Sequence, residues 1–533
     1  MSRPIDYILT STAVFTGTSN QPKPAAILVS GNQITTIIAI EDIDTYTSEH
    51  TTVLDFGDKL IMPGFHDFHI HLLLGSMLEN SVQLYDARSA KESAALVKAY
   101  ADTHPEQSLI IGSGWDDNTW TNRETVDKKY LDEVVPDKPV ILYQAEFHSA
   151  WVNSAMLKLA GITAETPNPE FGEVVKDENG EPTGLLLEHA VGLVTKAMPM
   201  DLKHKEQLLE QFLQEAKRYG VTSVHDLLRL PEMSTEEAEI YADFEDRDKL
   251  TTRVHFVAPL NGDLEEAIRL RETYNSNMVQ FTGFKQFIDG VITSYTAYLL
   301  EPYTNKVDSI GGTVYHEELI KKWTIVADKN NFRVRFHCVG DKAVNLALDT
   351  FEEAQKQNGK RDSRHAIEHI EMIQEADIPR FQELGVLASI QPEHINGSSY
   401  DVFEDLIGEE RMKLYMLQKT LKDNGATLVY GSDFPVVGLN PLTAIYRAVT
   451  RVDDDQVVWN KDEKIMLADA LKAYTFAPAY GAFREEELGT LEEDKLADLI
   501  VLDCNLFNVS PEEIKTASVI FTMVDGKVVY ENN

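Results

Sequence analysis

The stretch Asp67-Phe68-His69-Ile70-His71 places two imidazoles in alternation between apolar Leu60-Ile61-Met62 and Leu72-Leu73-Leu74. Alternate side chains of an extended strand share a face, so His69 and His71 project together. Two imidazoles with a carboxylate two residues before them make half of a metal site. His-X-His alone is short enough to arise on a solvated surface strand, so its meaning depends on what else the chain supplies. Further ligand types stand in or just after strand-like runs: Lys285 within Phe284-Lys285-Gln286-Phe287-Ile288, His337 after Val334-Arg335-Phe336, His369 after Ile367-Glu368, and Asp433 after Val429-Tyr430-Gly431-Ser432. A single strand-end histidine is ordinarily a hydrogen-bonded structural residue. Their joint occurrence, spaced by one or more strand–helix units, points to metal chemistry.

These residues need elements that bring distant segments to one point. Apolar β runs alternate with amphipathic helical stretches from Pro139-Val140-Ile141 to Thr427-Leu428-Val429-Tyr430, with helices expected at Lys205–Tyr219 and Asp341–Gln357. Repeating βα units predict a parallel sheet, and their number favours a closed (β/α)8 barrel of the TIM type, whose active sites form at the C-terminal strand ends. The first 58 residues read as short strands with a turn at Ser30-Gly31-Asn32. The last 46 or so read alike, with a tight turn at Asp525-Gly526. The predicted organisation is a composite β-sandwich domain from 1–58 and 488–533, and a barrel from 59–487. An insertion at about 80–190 caps the barrel mouth. Trp115, His148, Trp151 and His394 are the substrate-contact candidates, although aromatic residues of this size also serve as core. Asn153-Ser154 reads as a helix N-cap, His225-Asp226 as structural hydrogen bonding, and Gly340-Asp341 as a helix start in which Asp341 either caps the helix or orients a ligand histidine.

Composition excludes several classes. The 533 residues carry a formal net charge of −38, which opposes binding to nucleic acid or an anionic membrane. Only Cys338 and Cys504 are present, too few for a disulfide framework or a thiolate zinc cluster. The N-terminus has no long apolar run and no segment is apolar enough to span a bilayer, so a cytoplasmic protein is expected. A homo-oligomer is compatible with the sequence.

The order His-X-His, strand Lys, His, His, Asp resembles the ligand order of the amidohydrolase superfamily. Local wording resembles its "amidohydrolase 3" branch, which includes N-substituted formamide deformylases: Pro63-Gly64-Phe65, Gly114-Trp115-Asp116, Trp151-Val152-Asn153-Ser154, Pro182-Thr183-Gly184, Gly220-Val221-Thr222-Ser223, Gln391-Pro392 and Gly431-Ser432-Asp433, with Gly489-Thr490-Leu491 near the end. The resemblance covers nearly the whole chain. It implies a barrel beside a β-sandwich built from both chain ends. His69, His71 and Asp433 would hold one metal ion and His337 and His369 a second, with Lys285 bridging them as a carbamate. One or two divalent ions are implied, zinc foremost, with Asp433 also the base that handles the proton of the attacking water. The substrate implied is a small-molecule amide, N-acyl or N-formyl, cleaved at its C–N bond. Two departures stand near the expected pocket: Asp289-Gly290-Val291 where Asp-Gly-Ser is frequent, and Phe147-His148 where Gly-His is common. A deaminase on the same fold is the alternative, but the Glu of its His-X-X-Glu motif is replaced here by Gly340. A non-catalytic scaffold would show lost ligands, and none of the six is lost.

Overall fold

The computed structural model describes residues 4–79, 81–121, 124–145, 148–198, 202–227 and 237–532. Eight strands pair in parallel and in sequence order: β1 (Phe65–Ile70), β2 (Val221–Asp226), β3 (Arg253–Pro259), β4 (Val279–Phe287), β5 (Val334–Cys338), β6 (Ala366–His369), β7 (Leu387–Ile390) and β8 (Thr427–Tyr430). The seam between β8 and β1 is narrow, made by a parallel bridge between Ile70 and Phe434 and by Asp433 N donating to His69 O at 2.7 Å. Helices such as Leu202–Arg218, Glu317–Lys329 and Asp341–Asn358 lie in the connections.

Strand periodicity explains the two faces. Val221, Val224, Val254, Phe256, Phe284, Val334, Phe336 and Ile367 join the main apolar core, whereas alternate His225, His255, Lys285, Arg335, His337 and Glu368 are buried polar groups facing the lumen. The barrel interior is therefore unusually polar, and every such group needs a partner.

Both chain ends enter one sheet. Its strand order is Lys527–Glu531, Val519–Val524, Leu499–Leu502, Leu60–Pro63, Tyr7–Val14, Lys23–Ser30 and Gln33–Ile38, with Thr52–Asp55 also pairing Tyr7–Val14. Gly31 (φ +61°) forms the first hairpin turn, and Asp525 and Gly526 (φ +52° and +73°) the last. This sheet is tied to the barrel by Arg253, whose Nε and Nη2 donate to Asp498 at 2.7 and 2.8 Å while Nη2 also reaches Asp525 at 3.1 Å.

The chain between β1 and β2 builds a third sheet of six strands, ordered Gly172–Lys176, Pro182–Glu188, Ser149–Val152, Val140–Gln144, Ile110–Trp115 and Val82–Gln83. It has its own apolar cluster around Trp115, Trp120 and Trp151. Asn153 does cap the helix Ser154–Leu159, accepting from Met156 N at 2.9 Å. No described helix is long and apolar enough to cross a membrane.

Candidate metal centre

The C-terminal strand ends converge on a small pocket lined by His69, His71, His148, Lys285, His337, His369 and Asp433 together with Leu74, Phe287, Pro435 and Val436. His69 is on β1 with His71 just beyond it, Lys285 lies in β4, His337 in β5, His369 ends β6, and Asp433 follows β8. Two of these residues have left-handed backbones, His369 at φ +73° and Asp433 at φ +62°, a conformation that costs energy and aims each side chain inward. Close approach is secured at Gly431, where a Cβ would stand 2.5 Å from His69 N and 2.9 Å from Asp67 Oδ1. Asp67 is no ligand here. Its Oδ1 accepts from the backbone N–H of His69 at 3.1 Å and of Ser432 at 3.0 Å, pinning the seam.

The hydrogen bonds fix which nitrogens are free. His69 Nδ1 lies 3.0 Å from Glu368 Oε2, and a carboxylate can only accept, so Nδ1 carries the proton and Nε2 a lone pair. That lone pair faces Asp433 Oδ1 at 3.2 Å, and His71 Nε2 stands 3.0 Å from the same oxygen. His337 Nε2 lies 3.1 Å from the Gly290 carbonyl, which likewise leaves its Nδ1 as a lone pair. His369 Nδ1 and His394 Nε2 lie 3.9 and 3.5 Å from Asp433 Oδ2, with the two rings stacked at 5.6 Å. One atom each from His69, His71 and Asp433, and likewise from His369, His394 and Asp433, falls within 4.8 Å of its fellows.

Electrostatics agree with a cation cradle. Burial pushes His69 down to about 4 despite Asp433 and Glu368, and pushes His337 and His369 well below the usual imidazole range, which favours the neutral form a metal ligand needs. Burial alone would raise Asp433, and only positive charge on the imidazoles around it, or a cation in their midst, holds it well below the ordinary carboxylate range. A lone pair facing a carboxylate oxygen at 3.2 Å is repulsive unless a positive charge lies between them. His71 Nδ1 and Lys285 Nζ are buried without a hydrogen-bond partner among the described residues. The residues fit a divalent metal ion. Lys285, pushed down to about 8 chiefly by burial, sits with Nζ 5.5 Å from the Phe287 ring centroid.

Not every expected contact is brought here. Trp115 and Trp151 pack edge to face at 6.3 Å in the insertion's core, 1% and 0% exposed, donating their indole N–H groups to the Leu142 and Asp127 carbonyls. They do not line the pocket. His148 does, held by Glu188 Oε2 2.8 Å from its Nδ1, with its ring 5.4 Å from His337. Phe147 lies outside the described residues. His394 stands beside Asp433, with Glu371 3.7 Å from its Nδ1. Asp289 uses its carboxylate on the N–H groups of Tyr298, Val339 and Gly340, shaping the loop that offers Gly290 to His337. Asp341 accepts from Leu300 N at 2.9 Å and from Gln374 Nε2, so it anchors a loop and orients no ligand. Asp226 is structural, taking Leu72 N and Tyr241 Oη.

Sequence reading missed the carboxylates behind the imidazoles: Glu368, Glu188 and Glu371. For Glu368 a signal existed, since a carboxylate inside the buried run Ala366-Ile367-Glu368-His369 cannot be left unpaired.

A parallel βα barrel whose strand ends gather imidazoles, a lysine and an aspartate has the architecture of metal-dependent hydrolases. The family model of the amidohydrolase family matches residues 52–530, and the chain belongs to that family, whose members use divalent metal. It is 31% identical over 535 residues to protein LONG AFTER FAR-RED 3 of Arabidopsis thaliana, covering 98% of this chain and 91% of that one. It is 26% identical over 549 residues to the N-substituted formamide deformylase of Arthrobacter pascens, covering 100% and 99%. Among solved structures, an uncharacterized metal-dependent hydrolase from Pyrococcus horikoshii OT3 superposes with a TM-score of 0.76 at 25% identity, covering 95% of this chain and 99% of that one.

Proposed function

We propose that this chain hydrolyses the C–N bond of a small amide, N-acyl or N-formyl, at the centre formed by His69, His71 and Asp433. The observation that carries the reading is the lone pair of His69 Nε2 facing Asp433 Oδ1 at 3.2 Å, an arrangement a cation would stabilise. Likeness to a formamide deformylase along the full chain supports the amide class. His69, His71 and Asp433 would hold one ion, and His337 and His369 a second; zinc suits imidazole and carboxylate donors. Lys285 would join the two sets of ligands in this reading, if its buried amine, pushed down to about 8, took up carbon dioxide to form a carbamate. When bound, the metal supplies Lewis acidity and lowers the pKa of water toward neutrality. Asp433 accepts a proton from the attacking water as its oxygen bonds to the acyl carbon, and returns that proton to the amine nitrogen as the C–N bond breaks. His148, fixed through Nδ1 by Glu188, and His394, beside Asp433, flank the place where the acyl group must lie. Residues 1–58 and 488–533 are the sandwich domain of this reading, and 59–487 the catalytic barrel.

The test is a panel of N-formyl and N-acyl amides assayed for released amine with metal-loaded, chelated and zinc-reconstituted enzyme. Turnover of at least one substrate, lost on chelation and restored by metal, is the expected result. Absence of bound metal together with no activation by zinc, manganese or cobalt would overturn the proposal.

A further inference from the structure

Outside the pocket of the candidate metal centre stands a second set of imidazoles, one from each of the first three barrel strands. His66 (β1), His225 (β2) and His255 (β3) are all buried, with ring centroids 5.0, 5.1 and 4.8 Å apart and planes within 24° of one another. One nitrogen from each lies within 4.8 Å of the others. His255 Nδ1 donates to the Val224 carbonyl at 3.3 Å. His66 Nε2, His255 Nε2 and both nitrogens of His225 have no hydrogen-bond partner among the described residues.

Geometry alone would admit a cation, but the surrounding charge opposes one. Arg253, Arg333, Arg335 and Arg484 all act on His66. Arg253 is neutralised by Asp498 and Asp525, Arg335 by Glu368, and Arg484 by Glu487. Arg333 is different. It is 3% exposed, and its Nη1 and Nη2 have no hydrogen-bond partner among the described residues. The described carboxylate that acts on it is Glu368, already bound by Arg335 and His69, while Arg335 and Arg364 repel it. The Arg333 guanidinium carbon lies 5.6 Å from the Phe68 ring centroid, and that ring is 4.3 Å from His225, which places the unpaired charge beside the imidazole set. A guanidinium keeps its proton, and a buried charge requires a counter-charge.

We infer that His66, His225, His255 and Arg333 form a buried site for one small monovalent anion of halide size. Arg333 supplies the charge, and His66 and His225 each offer an N–H. His255, with its own proton turned to Val224, closes the third side. A single surplus positive charge sets the charge of the ligand at one. The site is separate from the metal centre and does not depend on the amide reading.

The test uses the full-length, metal-loaded protein. Thermal unfolding is compared in chloride, bromide and gluconate at one ionic strength, and crystals grown in bromide are measured at the bromine edge. The expected result is a saturable halide-specific rise in Tm on the order of 1–3 °C, absent in Arg333→Met and in His225→Leu, with an anomalous bromide peak between Arg333 and the three rings. The second variant and the wild-type crystal keep the test decisive if Arg333→Met does not fold. Ordered water alone among the rings, a transition metal there, or bromide bound only elsewhere would each overturn the inference, whatever the melting data.

Discussion

Replacing Glu368 with Gln changes one charge and almost no volume, and its effect can be traced through two hydrogen bonds. Glu368 is fully buried, with Oε1 2.7 Å from Arg335 Nε and Oε2 3.0 Å from His69 Nδ1. Burial alone would raise its pKa, but Arg335 and then His69 hold it well below the usual range, so it is a carboxylate in the native state. In Glu368→Gln the amide oxygen must serve Arg335, which can only donate, and the amide NH2 then faces His69 Nδ1. That nitrogen must become an acceptor, and the imidazole proton moves to Nε2, where it meets Asp433 Oδ1. The nitrogen needed for metal is thereby blocked. Loss of a supporting carboxylate behind a ligand histidine costs about 10–100-fold in metal affinity. The tautomer change places this variant at the upper end, about 100-fold or roughly 2.7 kcal/mol. Removing one partner of a buried ion pair costs about 3–5 kcal/mol of stability. Because the amide still accepts from Arg335, we expect the lower end, about 3 kcal/mol, in the metal-free protein. Chelator competition measures the first quantity and urea unfolding of metal-free protein the second. Metal affinity within about threefold of wild type, alongside a normal loss of stability, would refute the tautomer argument and leave Glu368 only a partner of Arg335.

Three further outcomes are expected. Lys285→Ala should lose bound metal and turnover, with partial rescue by short carboxylic acids; full activity would make Lys285 an ordinary strand residue. Asp433→Asn should lower kcat by about two to four orders of magnitude, the scale of a lost general base, while metal content measured on the same sample falls far less. Asp328 is buried and meets Arg361 Nε at 2.7 Å and His365 Nε2 at 3.2 Å, which hold its pKa below the ordinary value although burial alone would raise it. Its folded pKa is depressed, so its contribution is complete above about pH 4 and is lost as pH falls below that; urea unfolding from neutral to acid pH should show a shallower acid loss in Asp328→Asn than in wild type.

That His69, His71, Lys285, His337, His369 and Asp433 would gather at one place was legible in the sequence, because strand periodicity and βα repetition carry it. His69 and His71 share a face by alternation, and His337 and His369 close apolar runs whose C-terminal ends must meet in a parallel barrel. Gly431 before Asp433 signalled a close approach, and the 2.5 Å clash of a Cβ with His69 N shows why. The Trp115 and Trp151 expectation failed for a reason the sequence could not display. Both flank His148 in the chain, but which face of the insertion sheet meets the barrel depends on tertiary packing, and that sheet closes its own core around Trp115, Trp120 and Trp151.

What the sequence hid most completely is how each imidazole is given its proton. His69 is backed by Glu368 from β6 and His148 by Glu188 at the end of an insertion strand, while Glu371 from the segment after β6 stands 3.7 Å from His394 Nδ1, beyond hydrogen-bond reach. None of these pairs is close in the chain, and His69 and Glu368 are 299 residues apart. Yet each obeys one rule. A buried neutral imidazole can present only one lone pair, and the side on which it does so is decided by whatever accepts its other N–H. Where the acceptor is a carboxylate or carbonyl, as at His69 and His337, the free nitrogen is fixed and faces the pocket chemistry. Where His66 Nε2 and both nitrogens of His225 have no partner among the described residues and an unpaired Arg333 lies nearby, the donors stay free, and the residue type proposed to cradle a cation in the pocket is, in the inferred second site, set to receive an anion.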